Sequence, residues 1–241
     1  MELLKKLLNS DPSIPRLTCY DETTGGRVDL SATTLDNWAS KIANMLHDEF
    51  DLEAGDPIWI ELPPIWSAVC ILVGARRAGM HLSPTEPLAV FTTLDRLSEW
   101  DEKCPDAYLA AVTDDVFGRG VAECGGSIPP GVIDFGPEVR LHPDQYLGPG
   151  LDDMGAELIE GHSVEKLLEM AEQYASDQEL PTQARVLTRG WLVDGDRGFN
   201  AEAWTQSVLA PWMRDGSAVI VRGGDEDRLR AIAEAEKAVV L

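Results

Sequence analysis

Between Asp29 and Pro87 the spacing of hydrophobic positions changes from helical to strand-like and back. Leu35, Trp38, Ile42, Met45, Leu46 and Phe50 recur at helical spacing and leave Asp36, Ser40, Asn44 and Asp48 for water. Thr33 with Asp36 three residues later reads as an N-cap pair, and the Glu53-Ala54-Gly55-Asp56-Pro57 cluster stops and turns the chain. Ile58, Ile60 and Leu62 then alternate over a short strand that ends at Pro63-Pro64. Ile65 to Ala78 follows as an apolar helix with Gly79 as its C-cap. A return at Met80 to Ser83 completes a right-handed βαβ crossover, which requires parallel strands.

The same reading continues along the chain. Leu3, Leu4, Leu7 and Leu8 form a short amphipathic helix, interrupted by Glu2, Lys5 and Lys6 and so unlike a signal-peptide core. Pro84 to Pro87 is a turn, and Thr92 or Thr93 caps a helix bearing Leu94, Leu97 and Trp100. Ala107 to Val112 is a strand. Phe117 to Asp153 is dense in glycine and proline, with strand-like pieces at Gly131–Phe135 and Val139–Leu141. A connection of that length is expected to be functional, partner-contacting or folded as an excursion. Ser163 caps a helix carrying Val164, Leu167, Leu168, Ala171 and Tyr174 on one face. Ala184 to Thr188 is a strand, Ala203 to Trp212 a helix, Ser217 to Val221 a buried strand, and Asp225 to Ala238 the last helix. This predicts one layered α/β domain over 1–241, with mainly parallel strands and helices on both faces. Its subdivisions fall at 1–116, 117–160 and 161–241.

Charge narrows the partners. Twenty basic against forty-two acidic residues give a net charge of −22. Such a surface repels phosphate backbones and anionic lipid, which argues against nucleic-acid and membrane-surface binding. The longest apolar run, Trp66 to Ala75, is too short to span a bilayer. Cys19, Cys70, Cys104 and Cys124 are scattered, with no Cys-x-x-Cys spacing, so reduced cytoplasmic thiols are expected rather than zinc or a disulfide framework.

A resemblance rides on the first crossover. Leu30-Ser31-Ala32-Thr33-Thr34-Leu35, Ala43, Leu46, Gly55-Asp56, the strand Ile58–Leu62 with Pro63, then Gly79 and Pro84 resemble the opening of the acyl-adenylate-forming (AMP-binding) superfamily. Asn37-Trp38, Lys41-Ile42-Ala43-Asn44, Leu62-Pro63, Trp66 and Gly74 are closer to a short actinobacterial family of acetyl-CoA-synthetase-like proteins. The resemblance implies a truncated form of that superfamily's N-terminal domain. It also implies a phosphate loop ending in Pro-Lys-Gly after a strand near Ala184–Thr188, because a pyrophosphate leaving group needs donors and positive charge. The residues there are Arg189-Gly190-Trp191-Leu192-Val193-Asp194-Gly195-Asp196-Arg197-Gly198, with no lysine and two carboxylates. The family's Tyr-Gly-x-Thr-Glu segment and its lid with a catalytic lysine are expected beyond Leu241. None of the family's functional residues carries over.

No catalytic residue, metal site or cofactor is therefore assigned. No Gly-x-Ser-x-Gly elbow, Walker loop or Gly-x-Gly-x-x-Gly fingerprint occurs. Asp194-x-Asp196-x-Gly198 starts like a calcium loop, but Phe199 and Thr205 stand where it needs glycine and an acid. His47, His81, His142 and His162 read as solvated or satisfied, and Trp38, Trp66, Trp204 and Trp212 as core. A small pocket walled by Thr188, Arg189, Trp191, Asp194 and Asp196 is the candidate site, since open α/β sheets bind ligands at the C-terminal ends of their strands. The expectation is a non-catalytic relative that binds a small ligand, a protein partner or a second copy of itself. The alternatives are half of a ligase completed by a partner chain or dimer, and a stand-alone nucleotide- or CoA-binding module.

Overall fold

The architecture follows from a computed structural model that describes residues 2–148, 155–159, 161–192 and 198–241. Two units interleave in sequence: residues 1–35, 63–66 and 162–241 form one, and residues 36–62 and 67–161 the other. The contiguous subdivisions at 116 and 160 do not coincide with these units, because the first 35 residues supply strands to the sheet of the last 80.

In the first unit, α1 (Glu2–Asn9) seats Leu4 and Leu7 in full burial. Next come β1 (Pro15–Asp21) and β2 (Gly26–Ser31), a pair absent from the sequence reading. Their hydrophobic signal is masked because buried positions of β1 are polar. Arg16 is wholly buried, donating to the carbonyl oxygens of Asp215 (2.5 Å) and Gly216 (3.3 Å) and pairing with the Asp215 carboxylate at 2.9 Å. Thr18 is also buried, its hydroxyl donating to Asp29 at 2.6 Å and accepting from Arg185 at 2.9 Å.

α2 (Ala32–Asp48) begins in this unit, and its cap is Ser31 rather than Thr33. The Ser31 hydroxyl oxygen accepts from the Thr34 N–H at 3.2 Å. The remainder of α2 lies in the second unit, where Leu46, Met45 and Ile42 are fully buried while Trp38 is only partly so. Ser40 is buried rather than solvated, because Arg77 donates to the Ser40 hydroxyl and to the carboxylate and carbonyl of Asp36.

The second unit is built on β3 (Pro57–Glu61), α3 (Trp66–Ala78) and β4 (His81–Leu82), with β3 and β4 parallel as the crossover demands. A side chain at Gly74 of α3 would meet Ile42 of α2 at 2.7 Å, so glycine lets the two helices pack closely. Gly79 takes φ +86°, and the Met80 N–H reaches back to the Ala75 carbonyl (2.9 Å), the left-handed helix stop expected there. β5 (Ala89–Thr92) is a fully buried strand that the sequence reading did not separate out. Thr93 does stand at the N-cap position, without a side-chain cap bond, of a 3₁₀ turn (Leu94–Arg96) that α4 (Leu97–Lys103) follows. A four-residue apolar run does not distinguish a buried strand from the approach to a helix.

β6 (Tyr108–Ala111), β7 (Ile133–Asp134) and β8 (Glu157–Ile159) complete this sheet in the order β7-β6-β5-β3-β4-β8, its pairings parallel. Up to Gly148 the glycine-rich middle is thus folded as an excursion. Its Val139–Leu141 piece is not a strand, since Val139 closes α5 (Phe135–Val139), where Pro137 sits in the first turn.

The chain then returns to the first unit through β9 (His162–Ser163) and α6 (Val164–Asp177), whose Ser163 cap accepts from Lys166 N–H as expected. β10 (Arg185–Thr188) leads to α7 (Ala201–Trp204), a π turn at Thr205–Leu209 and α8 (Ala210–Met213). β11 (Ser217–Arg222), α9 (Glu226–Glu236) and the short β12 (Val239–Val240) end the chain. The sheet order is β12-β10-β11-β1-β2, parallel except for the β1–β2 pair. Leu187, Val219, Val221, Leu229 and Ile232 make the core between this sheet and α9. On the same side of β1, Glu236 accepts from Tyr20, Arg27 and Arg185. Burial pushes its carboxyl up, but the bonds from Tyr20 and Arg27 and the charges of Arg185 and Arg27 outweigh that and hold it below the usual range. Among the described residues, no helix is long and apolar enough to cross a membrane.

Candidate functional site

The expected pocket begins where β10 ends. Thr188 is the last strand residue, and its hydroxyl oxygen accepts from the Gly190 N–H at 3.1 Å. Gly190 has φ +95°, and a Cβ there would lie 2.6 Å from Cβ of Pro64 and 3.2 Å from Ile220. Only glycine makes this turn without displacing a ring.

Arg189 is held by the turn that follows β11. Its guanidinium donates to the carbonyl oxygen of Gly223 and to that of Gly224 (3.1 Å), with the Glu226 carboxylate at 3.6 Å. Gly223 and Gly224 both have positive φ, so the arginine ties down the turn between β11 and α9.

Trp191, with polar neighbours that suggested a pocket wall, is fully buried instead. Its ring stacks on Phe199 (4.8 Å between centroids, 7°) and meets Trp204 edge-on at 5.8 Å. Phe199 and Trp204 are themselves edge-to-face at 5.3 Å, and Trp204 continues to Trp212 at 6.3 Å. Trp212 anchors the row by donating to the Arg16 carbonyl oxygen (2.8 Å). Each such pair adds about 1 kcal/mol beyond the area it buries. Asp194 and Asp196, with the calcium-like spacing they open, lie outside the described residues. Thr188, Arg189 and Trp191 are adjacent but serve three different structural ends. Among the described residues, no cluster of three or more His, Cys, Asp or Glu side chains is placed to hold a metal.

The second unit contains an open cleft that sequence reasoning did not single out. It has a volume of about 410 Å³ and lies between the end of α2 (Asn44, His47, Asp48) and residues Pro143 to Gly148. Asn44 fixes that segment, its amide nitrogen donating to the carbonyls of Pro143 (2.9 Å) and Gln145 (3.0 Å). Lys41, one turn earlier, donates to the His142 carbonyl at 2.5 Å. Tyr146 then stacks on His47 with centroids 5.7 Å apart and planes within 9°. The His47 ring is oriented by its Nδ1, 2.5 Å from the Leu52 carbonyl oxygen. His142 is buried beside the cleft, its Nδ1 3.9 Å from Asp48 and its Nε2 3.8 Å from Glu138. The available signal was an aromatic residue and a leucine, Tyr146-Leu147, inside a glycine- and proline-rich connection. Periodicity cannot say that such a pair folds back on a helix 100 residues earlier.

One further carboxylate is buried at a strand end. Glu61 closes β3 and accepts from Arg96 (3.1 Å) and from the Trp100 indole (2.7 Å), so its charge is committed within the fold.

No family model matches the chain. Over 208 residues it is 35% identical to the "TIGR03089 family protein" of Mycobacterium tuberculosis, covering 80% of this chain and 82% of that one. Among solved structures it superposes on an acyl-CoA synthetase of Brucella canis with TM-score 0.77 at 17% identity. That match covers all of this chain and 47% of the other. It is similar also to the anthranilate CoA ligase AuaEII, solved with anthranoyl-AMP (TM-score 0.70, 12% identity, 98% and 48% covered). A third likeness is to acetoacetyl-CoA synthetase of Streptomyces lividans (TM-score 0.70, 16% identity, 98% and 40% covered). The chain thus spans about half the length of the ligases whose fold it shares.

Proposed function

Because the chain belongs to the TIGR03089 family and has the α/β fold of acetyl-CoA-synthetase-like ligases, we propose that it is a non-catalytic relative of those enzymes that works by binding. The observation that carries this reading is the fate of the residues after β10. A ligase of this kind must neutralise a departing pyrophosphate, which takes backbone donors, a flexible glycine turn and a cation. Here the one cation the described segment offers, Arg189, is spent on the carbonyls of Gly223 and Gly224, and Trp191 is packed into an aromatic row. The sequence continues with Asp194 and Asp196, two negative charges where a triphosphate would need positive ones.

The test is an adenylation assay on the purified chain with magnesium, ATP and a panel of carboxylic acids. The expected result is no pyrophosphate release above the protein-free rate. Robust release overturns the reading, and release only on adding a second polypeptide replaces it with the half-ligase alternative. Melting in the presence of ATP, AMP or CoA supplies an independent arm, since a ligand that binds only the native state raises its stability. An unchanged melting temperature is expected with each.

A further inference from the structure

Among the described residues, the cleft at the end of α2 offers a ligand acceptors and negative charge but no lysine or arginine. Asp48 stands at its edge with 68% of its side chain exposed. Asn44 has used both hydrogens of its amide on the carbonyls of Pro143 and Gln145, so only its acceptor oxygen remains for another group. Nδ1 of His47 faces a carbonyl oxygen and donates to it, while its Nε2 is buried, with no hydrogen-bond partner among the described residues. Among the described residues, no lysine or arginine lines the cleft, and nearby Lys41 is engaged by the His142 carbonyl.

The remaining wall is an aromatic ring held in place on several sides. Tyr146 is stacked on His47, and Gly148 lies so close that a Cβ there would be 2.7 Å from the phenol oxygen. Burial first, and the Asp48 charge second, push the Tyr146 hydroxyl up to about 12, so the ring stays neutral at physiological pH. Leu147, 93% exposed, adds an apolar lip.

We propose that this cleft binds an organic cation, a guanidinium or alkylammonium head group held between Asp48 and the Tyr146 ring with its alkyl stem along Leu147. A carboxylate beside an aromatic ring suits a soft, weakly hydrated cation, which gains both a charge partner and a π surface. A phosphate or carboxylate ligand would meet the Asp48 charge with no lysine or arginine among the described lining residues to offset it. The net charge of −22 also draws cations from a distance. The inference goes beyond the proposed function and holds whether or not the strand end after β10 is catalytic.

The test is a titration of the whole ¹⁵N-labelled chain, followed through its amide resonances. The probes are agmatine, its uncharged analogue butylurea, and a tripeptide with a single central arginine and blocked ends. Agmatine is expected to shift the amides of residues 44–48 and 145–148 saturably, and butylurea to leave them unmoved. Asp48→Asn, at an exposed position that keeps the fold, is expected to weaken agmatine about fivefold. A peptide that binds more tightly than agmatine identifies a protein side chain as the natural source of the cation. Equal binding identifies a free amine. No saturable shift with agmatine, an equal response to butylurea, or unchanged affinity in Asp48→Asn overturns the proposal.

Discussion

Thr188-Arg189-Gly190-Trp191 and Gln145-Tyr146-Leu147-Gly148 are short connections of similar make-up, each with one aromatic ring and one glycine pressed against a neighbour. In the first, the ring is wholly buried and the polar side chains are consumed in tying one turn to another. In the second, the ring stands at the lip of a 410 Å³ cleft with a leucine almost fully exposed beside it. The difference lies in what else the chain supplies. Phe199, Trp204 and Trp212 extend the surface that Trp191 can bury against, whereas Tyr146 stacks on the ring of His47 at the edge of a cleft.

That contrast can be broken by substitution. Trp191→Ala removes one ring of a buried aromatic cluster, and large aromatic truncations in a core cost about 3–5 kcal/mol. Chemical denaturation is expected to show a loss in that range. A loss below about 1 kcal/mol would mean that the ring is not a core residue and would reopen the strand end as a pocket. Gly190→Ala forces a Cβ into Pro64 at a positive φ, with an expected cost of about 1–3 kcal/mol by the same measurement. At the open cleft the effect should nearly vanish: Asp48→Asn is expected to change stability by about 0.5 kcal/mol or less, because an exposed side chain carries little of the fold.

Legibility in the sequence varied with the chemistry of the buried face. The crossover β3-α3-β4, the Ser163 cap of α6 and the strand β11 were readable because their inward positions are apolar and their boundaries carry turn or cap residues. β1 was not, since Arg16 and Thr18 occupy buried positions and pass for surface residues until Asp215, Asp29 and Arg185 are found beside them. Ser40 misled in the same way, because the residue that buries it, Arg77, lies on the next helix. For the candidate site the pattern held as well. Polar neighbours made Trp191 look exposed, and its stacking partner lies beyond a stretch of aspartates.

Local sequence therefore determined the lineage, the alternation of strand and helix, and the net charge, since each depends on composition or on residues within a few turns of one another. Tertiary structure alone decided which rings are buried, which arginine is spent and where an open cleft remains. Those outcomes rest on contacts made across loops and between elements, Trp191 with Phe199 and Trp204, Arg189 with Gly223, Asn44 with Pro143, and such surroundings leave no periodic trace in the sequence.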